Sequence, residues 1–353
     1  MTEIDVRTNQ PAVDGQPQRA RPRGAATVAK GGRGRRTAGG APAQFGMDPV
    51  LWAAWLYYQE GLTQEEVARR IGVGRTTALG YLSEARDRGL IRVVVRPDAL
   101  STIETAGRLR EVYGLADALV VPDDRGRRPP LMRVGEAGAT YLQEVIRPGD
   151  ILGVAWGRTV LALSNALAET TVSGLSVVPV LGGMAAEDGF SAEDCTSNIA
   201  RRLGGRAIHL HVPASLSSPE LKQALLAEPS VQRGLAALHQ CSKLVFGICT
   251  VETSSLVFHS GLIGARESAA YRAGGAVGVI AGRFYDAAGR PVVGDLDNRL
   301  IGLTLEEIRR IPQRIAVAGG PEKIASIRAA LHGDLVTCLV TDQKTAEALL
   351  DGT

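Results

Sequence analysis

Between Asp48 and Val95 apolar positions recur at helical spacing in three short bouts. In the first, "DPVLWAAWLYYQEG", Leu51, Trp52, Trp55 and Leu56 form a stripe. Asp48 is placed to cap its start, Pro49 suits the first turn and Gly61 ends it. In the second, "TQEEVARRIGVG", Thr63 caps, Glu66 completes a capping box, and Val67, Ala68 and Ile71 point inward. After the "GVG" turn, "RTTALGYLSEARDRG" sets Ala78, Leu82 and Ala85 on one face of a third helix, and "LIRVVV" reads as a short strand. Two short helices, a glycine turn and a longer helix outline a helix-turn-helix in a winged setting. The outer face of the third helix then carries Arg75, Thr76, Thr77 and Tyr81 toward the major groove. Arginine there can read guanine bidentately or hold a phosphate. An ordinary helical bundle with a basic surface residue has the same outline.

Beyond Pro97 a link leads into the helical stretch "IETAGRLREVYG", and the period then alternates. Apolar runs of strand length are "DALVV", "DILGVAW", "LSVVPVL", "RAIHLHV", "KLVFGI", "AVGVIAG", "RIAVAG" and "LVTCLVT". Between most of them lie helical patterns such as "GEAGATYLQEVI", "TVLALSNALAE", "DCTSNIARRL", "PEKIASIRAAL" and "QKTAEALL". This alternation predicts an α/β domain, a Rossmann-like parallel sheet covered on both faces. Ligands on such sheets bind at the carboxyl ends of the strands. The chain therefore divides into residues 1–46, a tail; 47–97, a DNA-binding domain; and 98–353, an effector domain.

Composition refines this picture. The 353 residues are 45% hydrophobic with 42 glycines, which suits an α/β protein. Aromatics make up only 4%, so Val, Leu, Ile and Ala must build the cores. Apolar runs stay below the roughly 18 residues of a membrane span, and the N-terminus lacks the apolar core of a secretory signal. A cytoplasmic protein is expected. Cys195, Cys241, Cys249 and Cys338 are far apart without a CxxC, which reads as buried thiols in a reducing compartment. Residues 1–46 hold eight Lys or Arg against Glu3, Asp5 and Asp14 and show no apolar period. That composition predicts a disordered basic arm, either an aid to phosphate-backbone binding or a solvated extension.

Four predicted strand ends carry glycine: "GVAWGRT" at 153–159, "LGGM" at 181–184, "GICTVETSS" at 247–255 and "AGGPEK" at 318–323. Singly each can be turn punctuation; at one edge of one sheet they would surround a crevice. Gly157 lets backbone approach a ligand, while the amides of Arg158 and Thr159 open a helix and their side chains add donors, a phosphate cradle. It lacks both the lysine of a Walker A loop and GxGxxG spacing. Lys323 starts a helix beyond "AGG" and can reach a phosphate or sugar oxygen. His209 and His211 alternate on a predicted strand without a third ligand, so no metal is expected. The acidic run from Glu187 to Asp194 reads as a solvated loop or lid.

The ordered blocks "GVAWGRT", "VVPVLGGM", "SNIARRLGG", "GAVGVIAGRFYDAAGRPV", "DNRLIGLTLEEI", "RIAVAGGPEKIASIRAAL" and "LVTDQKTAEALL" behind a helix-turn-helix resemble the SorC family of bacterial transcription regulators. This family, also called DeoR-type, carries a sugar-binding domain similar to sugar-phosphate isomerases. The resemblance runs from about Asp48 to the end of the chain. It implies operator DNA as partner, a phosphorylated sugar or related metabolite as effector, a homodimer or homotetramer, and no cofactor. It also implies a phosphate site at Gly157, Arg158 and Thr159, a ligand contact from Lys323, and Gly182 and Gly183 lining the same pocket. The chain departs from the pattern in two places. Val279 follows "GAVG" where the family has an acidic residue that contacts sugar hydroxyls, and Leu79-Gly80 replaces a Ser-Arg pair in the recognition helix. The first points to a less hydroxylated ligand and the second to an altered operator. The competing reading is an isomerase- or deaminase-like enzyme with a fused DNA-binding domain. It would need an acid/base pair near the phosphate loop, for which Glu252 and Asp342 are the strand-end candidates.

Overall fold

A computed structural model describes residues 41–91, 97–124, 126–184, 191–252 and 254–351. It divides into two units, Met1–Arg96 and Pro97–Thr353.

In the first unit, α1 (Pro49–Tyr58), α2 (Gln64–Ile71) and α3 (Arg75–Asp87) follow a 3-10 turn at Ala43–Phe45. The Asp48 carboxylate accepts the Val50 N–H at 2.9 Å and pairs with Arg88 at 2.7 Å. The Arg88 guanidinium holds that carboxyl below its ordinary range. Thr63 and Glu66 form a full capping box. Ala53, Leu56, Val67, Ala68, Ile71, Ala78 and Leu82 make one core cluster. Val50, Ala54, Ala85 and Ile91 make a second.

Two expectations change here. Leu51 and Trp55 are 36% and 41% exposed, and α1 buries Val50, Ala53, Ala54 and Leu56 instead. The helix is apolar around its whole circumference, so its period could not choose a face; the small alanines allow α3 to approach closely. The structured chain also begins earlier than Met47: Ala41 and Phe45 are buried, and the Phe45 ring lies 5.8 Å from Trp55. Residues 1–40, which hold all the basic residues of the expected arm, lie outside the described residues, as do 92–95 of the expected wing strand.

The second unit runs α4 (Pro97–Tyr113), β1 (Asp117–Val121), α5 (Pro130–Val145), β2 (Ile151–Val154), α6 (Arg158–Ala166), β3 (Ser176–Pro179), α7 (Ala192–Arg202) and β4 (Arg206–Ala207). It continues with α8 (Pro219–Ala227), α9 (Pro229–Leu238), β5 (Lys243–Phe246), α10 (Leu256–His259), α11 (Ala265–Ala273), β6 (Gly278–Ile280) and β7 (Arg283–Tyr285). It closes with α12 (Asp295–Arg299), α13 (Leu305–Arg310), β8 (Gln313–Val317), α14 (Ile324–His332), β9 (Cys338–Asp342) and α15 (Gln343–Leu350). The link expected after Pro97 is thus helical from its start.

Among the described residues the main sheet has seven strands in the order β1-β9-β8-β5-β2-β3-β4. All its pairings are parallel. β2, β5, β8 and β9 are almost wholly buried, as expected of strands covered on both faces. From β2 the chain steps outward to β3 and β4; from β5 it steps the other way to β8 and β9. The direction therefore reverses between β2 and β5, the position where open α/β sheets leave a crevice.

Two predicted strands behave differently. "AVGVIAG" does not enter the main sheet: β6 pairs antiparallel with β7. "RAIHLHV" supplies only the two residues of β4. His209 and His211 follow it in a loop, with His211 in a left-handed conformation (φ 54°) and the rings 5.7 Å apart. They do not share a strand face. No group of three or more His, Cys, Asp or Glu among the described residues is arranged to hold a metal. No described helix is long and apolar enough to cross a membrane.

Candidate functional site

The DNA-facing candidates lie on α3. Gly74 precedes it without a side-chain cap, and Arg75, Thr76 and Thr77 of the first turn are exposed. Tyr81 is half-buried and packs against both core clusters, so it braces the helix and offers only one flank to solvent. Leu79 is 39% exposed and Gly80 faces open space.

The four glycine-bearing turns do occupy one edge, because each follows the carboxyl end of a strand in a parallel sheet. β2, β5 and β8 are neighbours, so "GVAWGRT" and "AGGPEK" flank "GICT" on either side of the reversal point. α6 starts at Arg158 directly after Gly157, with no side chain capping it. The Gly157 amide is turned toward the sulfur of Cys195, a buried thiol that desolvation pushes up to about 12. The helix start offered to an anion is therefore the Arg158–Thr159 end, where Arg158 is exposed and Thr159 is buried.

Cys249 lies in the turn that follows β5, between the turns that follow β2 and β8. Burial raises its thiol, while the cations of Lys323 and then Arg158 oppose that rise. Arg158 and Lys323 belong to the turns after β2 and β8, the strands on either side of β5. The sequence already points to both residues at one crevice, and the strand order sets their turns on either side of β5. The Cys249 backbone exchanges two hydrogen bonds with Val279, at 3.0 and 2.9 Å, which ties the β6–β7 hairpin to the end of β5. Val279 itself is 1% exposed.

Gly182 and Gly183 are tied closely into the fold. Their amides donate to the carbonyls of Ile301 (3.0 Å) and Val212 (2.7 Å), so neither is left for a ligand. A Cβ on Gly182 would lie 2.6 Å from the Pro213 carbonyl, and one on Gly183 would overlap the Glu193 carboxylate. Glu193, from the run expected to be a solvated loop, sits at this turn; residues 187–190 of the run lie outside the described residues, and Ser191 and Asp194 form the capping box of α7. Gly182→Ala is expected to destabilise the protein by about 1–3 kcal/mol, the usual cost of overpacking. Denaturant melts with an unchanged midpoint would show that the Pro213 segment yields freely.

On the third flank, Lys323 closes a short 3-10 turn (Pro321–Lys323) and is half-buried. The two carboxylates considered as an acid/base pair are otherwise occupied. Glu252 is exposed and lies 3.8 Å from Arg272. Asp342 is buried and accepts from the Thr345 N–H, the Thr345 hydroxyl and the Gly320 N–H.

Comparison with known proteins places these features in a family. The Sugar-bind family of sugar-binding domains matches residues 98–351. A transcriptional regulator of Escherichia coli K12, YjhU, of uncharacterized role, is 40% identical over 87% of this chain and 95% of its own. The deoxyribonucleoside regulator of Bacillus subtilis is 31% identical over 85% of this chain and 96% of its own. The full-length sorbitol operon regulator SorC of Klebsiella pneumoniae superimposes with a TM-score of 0.68 at 27% identity, covering 85% of this chain and 97% of that one.

Proposed function

We propose, for a chain that belongs to the family of transcriptional regulators with a sugar-binding domain, that the crevice at the ends of β2, β5 and β8 binds a phosphorylated sugar, polyol or related metabolite. Occupancy of that crevice sets the affinity of the α3 reading helix for an operator. The observation that carries this reading is the placement of Arg158 and Lys323 on the turns that flank the end of β5, beside the start of α6, which no side chain caps. Two cations and a helix N-terminus at a reversal point form an anion site. A buried Val279 supplies no acceptor for a hydroxyl, and an unpaired ligand hydroxyl is costly when buried, so the ligand is less hydroxylated than a hexose phosphate. Glu252 and Asp342 leave no paired acid and base at the loop, and the relatives are named as regulators, so the site senses rather than turns over.

Sensing requires that the ligand bind two states of the protein with different affinity. A single reading helix covers few base pairs, so the working form is a homodimer or homotetramer on half-sites about 10 base pairs, or a multiple, apart. It acts in the cytoplasm. The test is a melting-shift screen of three- to six-carbon polyol and sugar phosphates, followed by operator gel shifts with each hit. The expected result is a phosphorylated hit that both raises the melting temperature and changes operator affinity. Hits confined to unphosphorylated sugars would overturn the anion assignment, and hits that leave operator affinity unchanged would overturn the coupling.

A further inference from the structure

Lys323 ends a loop that follows β8 at the carboxyl edge of the sheet and has little of its own to hold it in place. Gly319 and Gly320 precede it, no side chain caps the 3-10 turn, and Gly320 adopts φ 112°, a backbone conformation that suits glycine. Glycine in such a loop gains freedom in the unfolded chain and needs outside restraint in the folded one. The restraint comes from the neighbouring strand. The Gly320 N–H donates to Asp342 Oδ2 at 3.1 Å and to Thr345 Oγ1 at 2.8 Å. Asp342 in turn caps α15, accepting the Thr345 N–H at 3.0 Å and the Thr345 hydroxyl at 2.7 Å. Gly319 packs so closely on the same carboxylate that a Cβ there would overlap it. The Lys323 N–H closes the loop on the Gly320 carbonyl at 3.0 Å.

We infer that Asp342 and Thr345 are positioning residues for Lys323: they fix the 319–323 loop from β9 and α15 and so aim the ammonium group at the anion in the crevice. The inference rests on the effector site proposed above. Asp342 and Thr345 are 7% and 1% exposed, so they act through the loop and not by touching the ligand. Their network is closed and mutually dependent. The Thr345 hydroxyl donates its one proton to Asp342 and accepts from Gly320, and the carboxylate orients both. Valine at 345 keeps the shape of the side chain but deletes both hydroxyl bonds; serine keeps both.

The experiment uses the full-length protein, with inorganic phosphate as the probe, titrated by calorimetry. Operator affinity and melting temperature are followed in parallel. Lys323→Ala tests the site itself and should weaken phosphate binding about ten-fold, the value of a charge-assisted bond. Thr345→Val and, independently, the isosteric Asp342→Asn should each weaken it about five-fold, with operator affinity of the phosphate-free protein retained. Thr345→Ser should restore wild-type binding. In the Lys323→Ala background, Thr345→Val should add nothing further, because the group it positions is gone. Wild-type phosphate affinity in both Thr345→Val and Asp342→Asn, or a full five-fold loss that persists without Lys323, would overturn the positioning role while leaving the site intact. Unchanged binding in Lys323→Ala would instead overturn the site.

Discussion

Arg75→Ala is expected to lower specific operator affinity by about ten- to a hundred-fold while leaving the melting temperature unchanged. Arg75 is exposed in the first turn of α3, where a side chain meets base edges or the phosphates beside them. A bidentate arginine–guanine contact carries about 1–3 kcal/mol of discrimination, enough for a change of that size. Its removal touches no core residue, since α3 buries Ala78, Leu82 and Ala85 on its other side. Gel shifts at several salt concentrations separate two roles. Loss of a base contact weakens the specific site more than random DNA, whereas loss of a phosphate contact weakens both and reduces the salt slope by about one. Equal binding by variant and wild type at every salt concentration would remove Arg75 from the interface.

Arg158→Ala should lose at least about ten-fold in effector affinity yet bind operator as the ligand-free wild type does. Arg158 is exposed at the start of α6, at the edge of the crevice, where a charge-assisted hydrogen bond is worth about 1.5–3 kcal/mol. Because effector and operator are linked through two states, a protein that cannot hold the effector keeps its ligand-free DNA affinity at effector concentrations that shift the wild type. Reporter expression in cells would therefore stop responding to the inducing metabolite. A normal response in this variant would place the anion elsewhere, or leave it without one.

Much of the fold was legible in the sequence because its signals are local. The Thr63–Glu66 capping box, the α15 stretch "QKTAEALL" and the strand runs at β2, β5 and β8 rest on caps and periods only a few residues long. The glycine turns at their ends were legible for the same reason. The exposed face of α1 was not, because an all-apolar helix carries no period to read. Nor was the separate β6–β7 hairpin, since a short apolar run fits a central strand and an antiparallel hairpin equally. The sequence marks the turn at Gly182 and Gly183 but not the atoms that crowd it, which come from Pro213 and Glu193.

By itself, then, the sequence determined the elements, their order and the positions where strands end in glycine. It also carried the family pattern, through the ordered blocks from the helix-turn-helix to α15. The tertiary structure alone decided the strand order that sets β2 and β8 on either side of β5, and with it which turns flank the end of β5. It alone set Asp342 and Thr345 beneath the Lys323 loop, 22 and 25 residues along the chain from Gly320. The physical reason is one of range. Caps and hydrophobic periods act over one or two turns of chain, whereas strand adjacency follows from burying two apolar faces at once, a condition satisfied only by the folded sheet.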